Sequence, residues 1–231
     1  MSKFIKNMIA VAVVAFVMAG VSVTQTHAQG IVSDILQRMD AQNKSLSSLR
    51  ANVRMAKVNA QLGDDADITE GTAIYLPRKG KDALVRIDWR KPDESFAVVD
   101  KQYVIYRPRL ATAYTGSTTK ATGNAKASSA LAFMNMSKVQ LKQNYSISYI
   151  GEETVAGGTK TWHLQLTPKV AATYKSADIW VDSNGFPMQT KIVENNNDST
   201  TVLLSSLEKN VTLNGNLFKI VLPNGTKIQK T

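Results

Sequence analysis

The sequence predicts a mainly β protein with added helix, built on one strongly curved, barrel-like antiparallel sheet of about ten strands. Apolar residues recur with period two over most of the chain beyond residue 48, the spacing of half-buried strands. Turn-forming groups such as Gly157-Gly158 and Asp182-Ser183-Asn184-Gly185 punctuate these runs at hairpin spacing. No strand–helix–strand rhythm of the kind that builds a parallel sheet is present.

The N-terminus reads as an export signal over residues 1–28. Lys3 and Lys6 precede an apolar run from Met8 to Gly20, and Thr26-His27-Ala28 offers small residues at a cleavage point. An uncut anchor is the alternative, and polar Gln29 directly after the site argues against it. Residues 29–231 then form a single domain, expected to be soluble and exported, since no later run approaches the roughly 20 apolar residues of a membrane span. The chain has no cysteine, which excludes disulfides, thiolate metal sites, cysteine nucleophiles and an acylated cysteine anchor at the cleavage point. The formal charge of +10 falls to +8 when Lys3 and Lys6 leave, because the removed segment holds no acid. Such a surface is drawn to anionic membranes or acidic proteins. Nucleic acid is disfavoured because the basic residues are dispersed and not clustered with stacking aromatics.

Ile31 to Leu46 places Ile31, Val32, Ile35, Leu36 and Met39 at helical spacing, which predicts an amphipathic helix. Leu49, Ala51, Val53 and Met55 open the first strand, and the shift to Val58, Ala60 and Leu62 implies a bulge near Ala56-Lys57. Further strands are expected at Ile68–Leu76, Ala83–Trp89, Ser95–Asp100, Gln102–Tyr106 and Ala111–Thr115, with turns at Pro92 and Asp100-Lys101. Residues 116–129 are rich in Gly, Ser, Thr and Ala and read as a connection, leading to a short apolar helix over Ser129–Met136. Alternation resumes with Tyr145, Ile147 and Tyr149, then Trp162, Leu164 and Leu166, then Ala177, Ile179 and Val181. Phe186–Glu194, Thr200–Leu207 and Leu217–Val221 complete the expected strands, before a charged tail.

Catalytic chemistry has little support. The only histidine beyond the signal, His163, alternates away from Trp162 and Leu164 and reads as solvent-facing. Asp64-Asp65 with Asp67 and Glu70 lacks the spacing of a calcium loop, and Glu152-Glu153 reads as a solvated turn. No catalytic residue, metal ligand or cofactor site is therefore assigned, and the chain is not expected to be an enzyme. A curved sheet facing helices can enclose an apolar cavity. Its candidate lining is Ile74, Leu76, Val85, Ile87, Trp89, Leu131, Phe133 and Met134, with an ordinary packed core as the alternative.

Several collinear motifs resemble the LolA family: Glu70-Gly71, Tyr75-Leu76-Pro77-Arg78, Ile87-Asp88-Trp89, Lys91-Pro92-Asp93-Glu94-Ser95 and the Val-Asp pair before Tyr103. The second half adds Leu164 to Lys169, Ile179–Val181 before Asp182-x-x-Gly185, and Phe218-x-x-x-Leu222-Pro223-x-Gly225. The resemblance runs over essentially the whole mature chain. It implies a half-open barrel lidded by short helices, whose cavity takes the acyl chains of lipoproteins travelling from the inner to the outer membrane. The implied partners are acylated lipoproteins, an ATP-driven inner-membrane transporter that loads the carrier and an outer-membrane acceptor, with the carrier itself a monomer. Arg78 matches the arginine that latches the family's lid through backbone hydrogen bonds, and Leu131, Phe133 and Met134 fall on the lid. Two departures stand out. Lys79-Gly80-Lys81-Asp82-Ala83 replaces the usual proline after the arginine, which leaves Arg86 as a competing latch, and Asp100-Lys101 replaces an Asp-Gly turn. The alternative is a lipid- or lipoprotein-sensing regulator of similar fold.

Overall fold

The computed structural model describes residues 23–63, 65–118 and 136–230. It is mainly β, a curved sheet of twelve strands that does not close, accompanied by two helices. Helix α1 (Val23–Ser45) begins ahead of the predicted start and turns Val32, Ile35, Leu36 and Met39 into one buried stripe. The strands of the first half are β1 (Leu49–Val58), β2 (Asp67–Arg78), β3 (Lys81–Arg90), β4 (Asp93–Val99), β5 (Gln102–Arg107) and β6 (Thr112–Ser117). Those of the second half are β7 (Tyr145–Val155), β8 (Thr159–Pro168), β9 (Tyr174–Val181), β10 (Pro187–Glu194) and β11 (Ser199–Lys209), preceded by helix α2 (Lys138–Asn144) and followed by β12 (Lys227–Lys230).

Two antiparallel meanders make the sheet. β1 to β6 run outward in one direction, β11 to β7 in the other, and β1 pairs with β11 at the junction. The one parallel pairing adds β12 to the edge of β6. Tight turns fix the registers: Asp100 and Lys101 both adopt positive φ, at 50° and 63°, between β4 and β5, the left-handed pair that matches hairpin twist.

Three expectations are corrected. No bulge interrupts Ala56-Lys57, where pairing is regular against both β2 and β11; the irregularity lies between Arg50 and Asn52. Val58 is exposed as the last residue of β1 and Leu62 lies beyond it, so the apparent change of face marks the strand's end. Leu217–Val221 is not a strand: Gly215–Phe218 forms a 3-10 turn capped by the Asn214 side chain. Phe218 is fully buried whereas Leu217 and Val221 are exposed, so a single anchor stands where alternation was read. The charged tail, in turn, supplies β12. Helix α2 was not expected; a capping box between Ser137 and Gln140 starts it. The helix expected at Ser129–Met136 and most of the 116–129 connection lie outside the described residues.

Two apolar clusters share the core. The second contains Val32, Ile35, Leu36 and Met39 of α1 and Leu141 of α2, set against Leu164, Leu166, Ala177, Ile179 and Ile192 of β8 to β10. The first contains no helical residue among the described residues and gathers Val53, Met55, Tyr75, Ile87, Trp89, Phe96, Val202 and Leu204, among others, from the middle of the sheet. Gly185 sets the seat of α1. It holds φ at 87°, and a Cβ there would lie 2.3 Å from the Arg38 backbone carbon, so only glycine lets the β9–β10 turn lie flush against the helix.

Candidate functional site: the enclosed face of the sheet

Register assigns the faces of the first meander. Ala73 lies opposite Ile87, and Tyr75 opposite Val85, so these four share one face; Trp89, two residues on from Ile87, shares it too. All are buried within the first core cluster. Ile74 pairs with Arg86 and Leu76 with Leu84, which places Ile74 and Leu76 on the opposite face. Of the expected lining, Val85, Ile87 and Trp89 share the buried face with Ala73 and Tyr75, whereas Ile74 and Leu76 lie on the other face. Alternation could not choose, because β2 is apolar at consecutive positions from Ala73 to Leu76. Leu131, Phe133 and Met134 lie outside the described residues.

Tyr75 is 2% exposed, and its hydroxyl is the one buried side-chain polar atom, among the described residues, without a hydrogen-bond partner. Burial holds the phenol well above the usual tyrosine range, so it stays protonated. At one end of the face Glu94 lies opposite Trp89 and accepts a 2.7 Å bond from Arg107 Nε. The Glu94 side chain is 2% exposed. Arg107 also covers the Tyr114 ring at 5.2 Å, and its hydrogen bond to Glu94 raises its pKa.

At the other end of the sheet a cavity of about 580 Å³ opens between α1, α2 and the edge strand β7. Val32, Tyr145, Ile147 and Tyr149 form its apolar wall, with Lys142 and Lys169 beside them. Lys169 Nζ donates 2.6 Å to the Lys142 carbonyl, and the Tyr145 and Tyr174 hydroxyls meet at 2.7 Å. The shared face of Tyr145, Ile147 and Tyr149 was legible from alternation; the opening it faces depends on where the helices dock.

Both candidate latch arginines have defined partners. Arg78 closes the β2–β3 turn, donating 2.7 Å from Nε to the Asp82 carbonyl and 2.7 Å from Nη2 to Asp100. That bond and the charge of Arg78 hold the Asp100 carboxyl below the usual range. Arg86 lies on the outer face, forked against Asp88 at 2.9 to 3.1 Å. Its Nη1 donates to the carbonyls of Leu217 at 3.0 Å and Lys219 at 3.3 Å, while Ser95 holds Asp88 from the far side at 2.6 Å. Arg86 thus clasps the backbone of the C-terminal strap, the stretch after β11 whose 3-10 turn contacts β3 and β4.

His163 faces away from Trp162 and Leu164, as alternation requires, yet it is buried and not solvent-facing. Its Nδ1 is 2.8 Å from Glu153, its Nε2 is 2.9 Å from Asp178, and its ring stacks on Trp180 with centroids 4.3 Å apart. Trp180 Nε1 donates 2.7 Å to the same Glu153. Glu153 is exposed, as expected, but it lies in β7 and not in a turn, and its side chain ties three strands together, a role that spacing in sequence could not show.

A conserved but uncharacterised protein of Thermus thermophilus shares the fold with a TM-score of 0.54 at 11% identity, covering 87% of this chain and 99% of its own. A LolA superfamily protein from Nitrosomonas europaea aligns with a TM-score of 0.40 at 13% identity over 81% and 97% of the two chains. Mycobacterium tuberculosis lipoprotein LppX aligns with a TM-score of 0.43 at 15% identity over 79% and 98%. No curated protein sequence matches the chain. Residues 60–221 match the family described as outer membrane lipoprotein carrier protein LolA, a span from just after β1 into the C-terminal strap, and the chain belongs to that family.

Proposed function

We propose that this protein is an exported, periplasmic carrier that holds the acyl chains of lipoproteins against the enclosed face of its sheet and shuttles them from the inner to the outer membrane. The observation that carries the reading is the first apolar cluster: Val85, Ile87, Trp89, Phe96 and Met55 form a continuous apolar face in a sheet that does not close. A face of this kind takes an apolar guest without covalent chemistry. Each buried methylene contributes about 0.8 kcal/mol, so affinity is easily reached and release sets the design. Leu131, Phe133 and Met134 belong to the lid in this reading, and Arg78 steadies the mouth that the lid must close. An ATP-driven inner-membrane transporter loads the carrier, and an outer-membrane acceptor unloads it. No helix among the described residues is long and apolar enough to cross a membrane.

Purified protein mixed with a triacylated lipoprotein released from detergent should keep that lipoprotein in solution as a one-to-one complex, measured by sedimentation and size exclusion. Failure to retain it, with the fold intact by circular dichroism, overturns the proposal.

A further inference from the structure

We infer that the Tyr75 hydroxyl is a cargo contact: it donates a hydrogen bond to the ester carbonyl at the head of an acyl chain, and thereby selects acyl esters over alkyl chains. This rests on the carrier reading and names the chemistry that its apolar face recognises beyond hydrocarbon.

Buried tyrosine hydroxyls ordinarily find partners, and an orphaned donor is a standing penalty on the free protein. Nothing among the described residues requires it. Phenylalanine would fill the same ring position, pair with the same Leu49 and Val85 across the strands and bring no unsatisfied atom. Side chains stand roughly perpendicular to a sheet, so the long phenol carries its oxygen off the backbone on the buried side of β2. The cluster it belongs to includes Val53, Ile87, Trp89 and Phe96, which offer no acceptor. Burial keeps the group protonated, so its proton is available to a neutral guest. A guest that satisfies it must bring an acceptor on an otherwise apolar body. An ester carbonyl meets that requirement with an oxygen that projects from the chain toward a donor; an ether oxygen lies within the chain between two carbons, shielded by its methylenes, and a methylene is no acceptor. Tyr75 is reached once the apolar contacts over it part, as loading of a carrier requires. The same penalty then favours the loaded state, because the hydroxyl gains its only partner when cargo enters.

Binding of dioctanoylglycerol and of its dioctyl ether is measured by quenching of intrinsic tryptophan fluorescence in the wild-type protein and in Tyr75→Phe. One neutral hydrogen bond gives about a fivefold to tenfold preference. Wild type should therefore bind the ester about that much more tightly than the ether, and Tyr75→Phe should bind both at the level of the ether. In the absence of ligand Tyr75→Phe should unfold at higher temperature, because the orphaned donor is gone. A lower melting temperature overturns the inference by showing that the hydroxyl has a partner in the free protein. An ester preference retained in Tyr75→Phe, or absent from a wild type that binds both, overturns it while leaving the carrier reading standing. Binding of neither compound by the wild type overturns both.

Discussion

Replacing Arg86 by methionine tests how the C-terminal strap is held. The aliphatic stem stays, and three things go: the bonds to the Leu217 and Lys219 carbonyls and the fork on Asp88. Hydrogen bonds from a charged donor contribute about 1.5–3 kcal/mol each. The Lys219 bond is long at 3.3 Å, and the Arg86 and Asp88 side chains are 27% and 41% exposed, so solvent screens much of the ion pair. A net loss of about 2 kcal/mol follows, close to a thirtyfold change in an opening equilibrium. The loss is local, because Arg86 touches the strap and not the apolar face. Hydrogen exchange read by mass spectrometry should show amides of residues 217–230 exchanging about thirty times faster, with β8 to β11 unchanged. Arg78→Leu, whose partners are Asp82 and Asp100, should leave the strap as slow as in wild type. Unchanged exchange of the strap in Arg86→Met, or equal acceleration everywhere, refutes the clasp.

Gly185→Ala should destabilise by about 2 kcal/mol or more, because its Cβ meets Arg38 backbone at a positive φ; a melting temperature within one degree of wild type would exclude the tight seat of α1. Arg107→Met removes the 2.7 Å bond from Arg107 to the buried Glu94 carboxylate. It should cost about 2 kcal/mol by urea denaturation, the loss of one hydrogen bond between charged groups discounted because Arg107 is itself 39% exposed, and a cost below half that would refute the pair as a structural tie. Glu153 has its carboxyl lowered by the Trp180 bond and then by His163. A depressed carboxyl stabilises the fold above its unfolded value of about 4.3, and that stability is lost as pH falls through the folded value. Glu153→Gln should therefore be less stable than wild type at pH 7, and the gap should close between about pH 5 and pH 3; parallel stability curves across that range would show that the carboxylate is not stabilising.

The fold was legible where one residue type could satisfy only one environment. In α1, a single stripe of Val32, Ile35, Leu36 and Met39 leaves no second way to bury the helix. In β3, Val85, Ile87 and Trp89 alternate with Arg86 and Asp88, and the charges settle which set faces in. In β2 the signal fails for a stated reason: Ala73, Ile74, Tyr75 and Leu76 are apolar on both faces, and only pairing to β3 decides between them. The outer face there is not open to water throughout, which is why an apolar Leu84 is at home on it at 6% exposure. The strap misled for the opposite reason. Its five residues from Leu217 to Val221 look like a strand, but burial falls on Phe218, and a lone aromatic anchor has no period to read. The ties among His163, Glu153, Asp178 and Trp180 were illegible because they join three strands through side chains up to 27 residues apart.

The two halves of the sheet are finished differently, and the difference bears on function. Around β8 to β10, α1 and α2 bury the second cluster, and every element of that cluster is held by its neighbours: Gly185 under the helix, Leu141 beneath a capped α2, the paired hydroxyls of Tyr145 and Tyr174. That half is packed against its helices, apart from the cavity that Val32 and Tyr145 line. The first cluster has no helical member among the described residues, and it contains the one unsatisfied buried hydroxyl of those residues. Its outer face, by contrast, is locked by Arg86 onto the strap, and Arg78 ties the β2–β3 and β4–β5 turns together. Rigidity is thus concentrated on the far side of the sheet from the apolar face, so that face can exchange its covering for a guest while strand register stays fixed. A carrier needs that separation. Cargo must enter and leave many times at a small net cost, and only a face whose supporting strands do not depend on its covering can be opened without unfolding.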